Sequence, residues 1–118
     1  MPVDKLNIAT LVGYDPIRDL YQNDPLVFHG SLPARLSAEM LGQLGQVISE
    51  VAPKITLPYL LFHGNDDLIC AMSGSERFHA ATKSTEKRFE KISGMHETLN
   101  EGSPEAVTLV VNWLKSRL

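Results

Sequence analysis

The sequence contains little of what several classes of protein depend on. It has a single cysteine, Cys70, in 118 residues, which excludes a disulfide within the chain and a paired-cysteine zinc site. No apolar run reaches the roughly 18 residues of a transmembrane helix, and Asp4, Asp15 and Asp19 interrupt any signal-peptide core. A net charge of -3 offers no basic face for nucleic acid. We therefore expect a soluble, cytoplasmic globular protein that does not bind nucleic acid.

Residues 1–53 have the pattern of helices and loops rather than of a sheet. Prolines and glycines interrupt residues 1–33, which predicts short helical turns. From residue 34 to 51, apolar residues recur at helical spacing and Pro53 follows them. This spacing predicts an amphipathic helix that ends at the proline.

The pattern changes after residue 54. A continuously apolar run over 57–63 is followed by the turn residues Gly-Asn-Asp-Asp, which predicts a strand buried on both faces. Ser73–Glu76 has the form of a capping box and predicts a helix that runs to about Thr82.

Residues 88–92 alternate polar and apolar side chains, which predicts a second strand. Ser103 is the predicted cap of a last helix with an apolar stripe. Strand, helix, strand, helix is a βαβα unit, whose two strands are expected to be parallel. The sequence thus predicts an α/β fold.

Chemically useful side chains follow both predicted strands. Asp66 and Asp67 come after the first strand, and His96 comes after the second. Ligands bind at the carboxyl ends of open parallel sheets, and a carboxylate bonded to one imidazole nitrogen leaves the other free to act as a base. Spacing alone leaves open whether these are a catalytic pair or ordinary loop residues. We expect His63 to make a structural contact and His79 to be a solvated surface group.

Several segments of the chain resemble monoacylglycerol lipases and the related lysophospholipases, which are serine α/β-hydrolases. They are Asn23-Asp24-Pro25-Leu26-Val27, Pro33-Ala34-Arg35, the run from Ile55 to Asp67 that ends in His63-Gly64-Asn65-Asp66-Asp67, Ile92-Ser93-Gly94-Met95-His96-Glu97, and Asn100-Glu101 before a terminal helix that carries Trp113-Leu114. The resemblance implies the C-terminal part of an α/β-hydrolase fold. Residues 1–53 would be the end of a helical cap, and residues 54–118 the terminal βαβα part of the core.

The same resemblance implies roles for individual residues. Asp67 matches the triad acid and His96 the triad base of an enzyme that cleaves carboxylic esters through an acyl-enzyme, with no metal or organic cofactor. No serine of the chain stands in the Gly-x-Ser-x-Gly pattern of the family nucleophile. We therefore expect the nucleophile and the oxyanion hole outside these residues, and the chain alone to be inactive.

Other assignments stay open on the sequence. The resemblance points to a lipid ester as substrate, and the candidates for its channel are Leu36, Met40, Leu41, Leu44 and Cys70. The four α-helical residues could instead be cap core, and packing inside the protein is the expected state of Cys70. A different ester or a peptide is a second possible substrate class. A non-catalytic remnant that binds a partner or lipid is a further alternative. The edges of a two-stranded sheet are open to pairing with an N-terminal half or with a second copy of the chain. The cap could also contact a membrane surface.

Overall fold

A computed structural model describes residues 7–101 and 104–118 of the protein. In chain order its helices and strands are α1 Ile8–Leu11, α2 Asp15–Asn23, α3 Ala34–Gln46, β1 Tyr59–Gly64, α4 Met72–Ala81, β2 Lys87–Ile92 and α5 Pro104–Lys115. A π-helical turn, Val47–Val51, continues α3, and 3-10 turns occupy Ala52–Lys54 and Thr98–Asn100. Ser103, the predicted cap of the last helix, lies outside the described residues.

The two strands are parallel, as the sequence predicts. Their register runs from the pair Tyr59 and Lys87 to the pair Gly64 and Ile92. Helix α4 forms the crossover between them, so the carboxyl ends of β1 and β2 lie at the same edge of the sheet. The predicted α/β class and βαβα order are confirmed.

Strand β1 is less buried than its apolar sequence suggests. Residues 59–62 are half-buried, and only His63 and Gly64 are buried. The prediction of a strand buried on both faces is wrong for most of its length. In the described part of the chain the sheet has two strands, so too few elements pack on it to cover both faces.

The predicted capping box at the start of α4 is not formed. The helix begins at Met72 with Ala71 as its N-cap, and no side chain bonds to the first turn. Ser73 therefore lies inside the helix, and the hydroxyl of Ser75 lies 2.7 Å from Nδ1 of His63. Within the same segment, Ser75 contacts strand β1.

The other end of α4 is held by polar side chains. Lys87 Nζ donates to the carbonyl oxygens of His79, at 2.6 Å, and of Thr82, at 2.8 Å, which satisfies orphan carbonyls of the last turn. His79 is not the solvated surface group that we expected. Its Nδ1 lies 2.9 Å from the Tyr59 hydroxyl, and its ring packs against Phe89. Desolvation and the charge of Lys87 lower the pKa of His79.

The helical faces with the most apolar residues remain accessible. In α5, Val107, Val111 and Leu114 are 39–50% exposed, whereas Ala106 is buried. Leu41 of α3 is 70% exposed. An amphipathic helix normally buries its apolar stripe, so both helices offer apolar surface that the other described residues leave exposed.

Candidate active site

The candidate site lies where two loops leave the carboxyl ends of β1 and β2. We call residues 65–70 the acid loop, because it carries Asp67, and residues 93–97 the histidine loop, because it carries His96. The parallel pairing of the strands places both loops on one edge.

Main-chain hydrogen bonds join the acid loop to the end of β2 and to the histidine loop. The N–H of Asn65 donates to the carbonyl of Ile92 at 2.8 Å, and that of Asp66 donates to the carbonyl of Gly94 at 3.0 Å. These bonds continue the strand pairing past the end of the sheet. They fix the backbone of the acid loop relative to the histidine loop.

Two glycines make this close approach possible. A Cβ on Gly64 would come well within 3.0 Å of the carbonyl oxygens of Met95 and Gly94, which are backbone atoms. Gly94 has a φ of 135°, a conformation that L side chains rarely adopt. Both positions therefore require glycine.

Both carboxylate oxygens of Asp67 have hydrogen-bond partners. Its Oδ1 accepts from the N–H groups of Ile69, at 2.8 Å, and Cys70, at 2.9 Å, and its Oδ2 lies 3.0 Å from Nδ1 of His96. The same Oδ2 lies 3.2 Å from Nε2 of His63. The Asp67 side chain is only 5% exposed, so the carboxylate is oriented and largely shielded from water.

The electrostatics keep this carboxylate ionised. Burial acts to raise the pKa of Asp67, but the N–H of Cys70, the contact with His96 and the N–H of Ile69 outweigh it. The pKa of Asp67 therefore lies below its ordinary value of 3.8. A negative charge next to Nδ1 favours a hydrogen on that nitrogen and stabilises the imidazolium form.

His96 is the accessible member of the pair. Its side chain is 33% exposed and lines a small groove of about 250 Å³ with Phe62 and Leu99. When Nδ1 carries the hydrogen that Asp67 accepts, Nε2 presents a lone pair, so it can take a proton from a nearby hydroxyl.

Known proteins identify the family of this arrangement. Residues 1–103 match the family model described as serine aminopeptidase, S33. The chain belongs to this family. Over its full length it is 33% identical to a monoacylglycerol lipase of Mycolicibacterium smegmatis, and it covers 42% of that protein. Over 85% of its length it is 27% identical to a monoglyceride lipase of Rattus norvegicus, of which it covers 34%.

Solved structures agree with the fold. The monoacylglycerol lipase of Paleococcus ferrophilus matches 96% of the chain with a TM-score of 0.85 and 25% identity, and the match covers 44% of that protein. A monoglyceride lipase from Saccharomyces cerevisiae matches 98% of the chain with a TM-score of 0.70 and 21% identity, over 42% of its own length. The chain thus spans less than half the length of the relatives that it matches. The expectation of a C-terminal part of the α/β-hydrolase fold is confirmed.

Glu101 anchors the histidine loop, a contact that the sequence reasoning missed. The Glu101 carboxylate accepts from the N–H of Met95 at 3.2 Å and from the N–H of Gly13 at 3.0 Å. It therefore ties the histidine loop to the segment between α1 and α2. No local pattern signals this role, because Gly13 and Glu101 are 88 residues apart in the chain.

Two of the five predicted channel residues come together. Leu44 and Cys70 line one groove of about 410 Å³ between α3 and α4, which also touches Leu61 and Phe78. The other three, Leu36, Met40 and Leu41, are not among the residues that line it and are 46–70% exposed. The channel role stays a prediction for all five.

Cys70 is exposed and unpaired, so the expectation that it packs inside the protein is wrong. It lies in the acid loop and lines the groove between α3 and α4. Its thiol is still partly desolvated, and this desolvation together with the charge of Asp67 raises the pKa of Cys70. The site therefore does not activate the thiol as a nucleophile.

The sequence reasoning assigned no metal to this site. Among the described residues, Asp67, Cys70 and His96 each offer one ligand atom within 4.8 Å of the others. Both carboxylate oxygens of Asp67 already accept hydrogen bonds from the protein. A cation would thus compete with His96 for this carboxylate.

Over residues 7–101 and 104–118, no helix has both the length and the apolar character needed to cross a membrane.

Proposed function

We propose that these residues carry the acid and the base of a serine hydrolase for carboxylic esters, with Asp67 as the acid and His96 as the base. The observation that carries the proposal is the 3.0 Å contact between His96 Nδ1 and Asp67 Oδ2 at the carboxyl edge of the sheet. Family membership supports the reaction class. The roles of the individual residues rest on the geometry.

The geometry fits a sequence of proton transfers. Nε2 of His96 takes the proton of a serine hydroxyl as its oxygen attacks the ester carbonyl, and it returns that proton to the leaving alcohol. Water then attacks the acyl-enzyme with the same base. Asp67 keeps the hydrogen on Nδ1 and stabilises the imidazolium through its negative charge. We place the serine and the oxyanion donors outside these 118 residues, since none of the chain's serines stands in Gly-x-Ser-x-Gly.

We infer a monoacylglycerol or lysophospholipid type of substrate. The support is the activity named for the relatives, monoacylglycerol lipase, and the apolar side chains of the groove beside Cys70. The family description, serine aminopeptidase, favours a peptide instead. Because the chain alone is expected to be inactive, the two classes are discriminated by the rates of the chimera described below on a monoacylglycerol and on an aminoacyl anilide.

A fluorophosphonate probe tests the expected inactivity of the chain alone. The probe reacts with an activated serine. We expect no labelling and no hydrolysis of monoacylglycerol by the 118 residues. Covalent labelling of any serine in them would overturn the placement of the nucleophile.

A chimera tests the roles of the pair. In this hybrid protein, the 118 residues take the place of the matching region of the Mycolicibacterium smegmatis lipase, and the rest of the lipase is kept. The match includes every residue of the present chain. We expect Asp67→Asn and His96→Gln to lower kcat by about 10³- to 10⁴-fold with folding retained. The matched controls are Asp19→Asn and His29→Gln, both at exposed positions of the helical part. Equal rates for site and control variants would refute the roles.

Exposed apolar surface favours a second candidate, a non-catalytic module that associates with itself, an N-terminal half or lipid. The stripe of α5 is half exposed, and within the described residues each strand has one paired edge. Sedimentation over a wide concentration range measures self-association. A monomer throughout would argue against the self-associating form.

We also propose the division into a cap over residues 1–53 and a core over 54–118, and a cytoplasmic location with peripheral membrane contact. The exposed apolar face of α3 supports the membrane contact, and the unpaired Cys70 is compatible with a reducing compartment. Limited proteolysis with cleavage near residue 54 tests the division, and cell fractionation tests the location.

A further inference from the structure

His63 is a buried histidine at the end of β1, next to Asp67. Its side chain is only 8% exposed, and its Nε2 is 2.9 Å from the carbonyl oxygen of Cys70 and 3.2 Å from Oδ2 of Asp67. On the other side of the ring, Nδ1 is 2.7 Å from the hydroxyl of Ser75. All the polar atoms of this buried ring therefore have partners.

The partners determine where the hydrogens sit. A carbonyl oxygen and a carboxylate oxygen can only accept, so Nε2 of His63 must carry a hydrogen. The hydroxyl of Ser75 can donate, so it can supply the hydrogen of the bond to Nδ1. The neutral Nε2–H tautomer thus satisfies Ser75 and Cys70 together, and it sets an N–H group rather than a lone pair beside the Asp67 carboxylate.

Two imidazoles lie next to one oxygen. Oδ2 of Asp67 is 3.0 Å from Nδ1 of His96 and 3.2 Å from Nε2 of His63, while Oδ1 is held by backbone N–H groups. Rotation of the carboxylate would break the bonds to His96 and to the backbone. The buried ring of His63 packs against Oδ2 from the other side and so limits where the carboxylate can lie.

We propose that His63 is a positioning residue for the Asp67–His96 pair, a role that deepens the function proposed above and rests on it. The Nε2–H of His63 donates to the Cys70 carbonyl, which holds the acid loop closed, and the same nitrogen lies 3.2 Å from Oδ2 of Asp67. The loop and the neighbouring ring together keep the carboxylate beside Nδ1 of His96. His63 itself touches no reacting atom. Its effect on His96 passes through the acid loop and Asp67.

The first test needs no variant. Long-range proton–nitrogen correlation of the ¹⁵N-labelled chain at a pH of about 8, where unperturbed imidazoles are neutral, reports the tautomer of each ring. We expect Nε2–H for His63 and Nδ1–H for His96. A His63 ring that carries its hydrogen on Nδ1 would overturn the proposal, because it could not donate to the Cys70 carbonyl that closes the acid loop.

The second test removes the donor. In His63→Leu we expect the ratio of Nδ1–H to Nε2–H tautomers of His96 to fall about fivefold, since the hydrogen bond to Cys70 that holds the acid loop and its Asp67 is lost. His63→Gln keeps an amide donor and is expected to retain most of the ratio. Amide exchange at Asn65 and Asp66, which join the two loops, checks that the variants are folded.

The Leu variant and the wild type can each overturn the proposal. A folded His63→Leu with the wild-type tautomer ratio would make His63 a simple packing residue. If that variant does not fold, the wild-type tautomers decide on their own. The readout is independent of hydrolysis, so an inactive chimera would refute the enzyme function while the tautomers still report on His63.

Discussion

Replacement of Gly64 by alanine is a direct test of how the two loops are held together. A Cβ at this position would collide with the carbonyl oxygens of Met95 and Gly94. Those oxygens belong to the backbone and cannot rotate away as a side chain can. The histidine loop therefore has to move as a body when the methyl group is added.

The cost follows from the contacts that this movement strains. Overpacking of a tight site costs about 1–3 kcal/mol. The two main-chain bonds donated by Asn65 and Asp66 contribute about 1 kcal/mol each, and we expect one of them to be lost. Gly64→Ala should thus lower the free energy of unfolding by about 2–4 kcal/mol, against a typical total of about 5–15 kcal/mol.

Urea unfolding measures this difference, and the chain offers matched controls. At Gly42 and Gly45 of α3, an added Cβ would meet nothing within 4 Å. Alanine there should raise the free energy of unfolding by about 0.5–1 kcal/mol, because glycine is unfavourable inside a helix. A Gly64→Ala value within about 0.5 kcal/mol of the wild type would refute the reasoning.

Three further predictions concern charge, anchoring and lipid. The stability advantage of the wild type over Asp67→Asn should be complete above pH 3.8 and be lost as the pH falls through the lowered pKa of Asp67 in the folded state; urea unfolding across pH measures it. Glu101→Ala should speed hydrogen exchange of the Met95 amide about tenfold, since its acceptor is removed. Leu41→Ser should weaken co-sedimentation with phosphatidylcholine vesicles about tenfold, whereas Leu26→Ser, exposed outside α3, should not.

Local patterns were sufficient to predict the elements that position the site. The apolar run before Gly64 and the alternation before Ser93 predicted both strands within about two residues of their observed bounds. Helix α4 ends at Ala81, one residue from the expected end. The expected proximity of Asp67 and His96 is found, because parallel strands bring their carboxyl ends to the same edge. Their catalytic role stays a prediction.

Contacts between distant residues could not be predicted in this way. The local pattern at Ser73 predicted a capping box that the helix does not form. The pattern gave no sign that Ser75, two residues later, bonds to His63 in the preceding strand. Cys70 and His79 were misjudged because exposure depends on which elements pack around a residue. Glu101 was missed because its partner Gly13 belongs to a segment that the pattern along the chain does not connect to it.

The main-chain bonds between the acid loop and the histidine loop have a consequence for how such a site is inherited. Asp67 and His96 are 29 residues apart and meet within one βαβ unit, so their alignment is completed when that unit folds. Both side chains of the Asp67–His96 contact therefore lie in one continuous stretch of the chain, which recombination can transfer as a single piece.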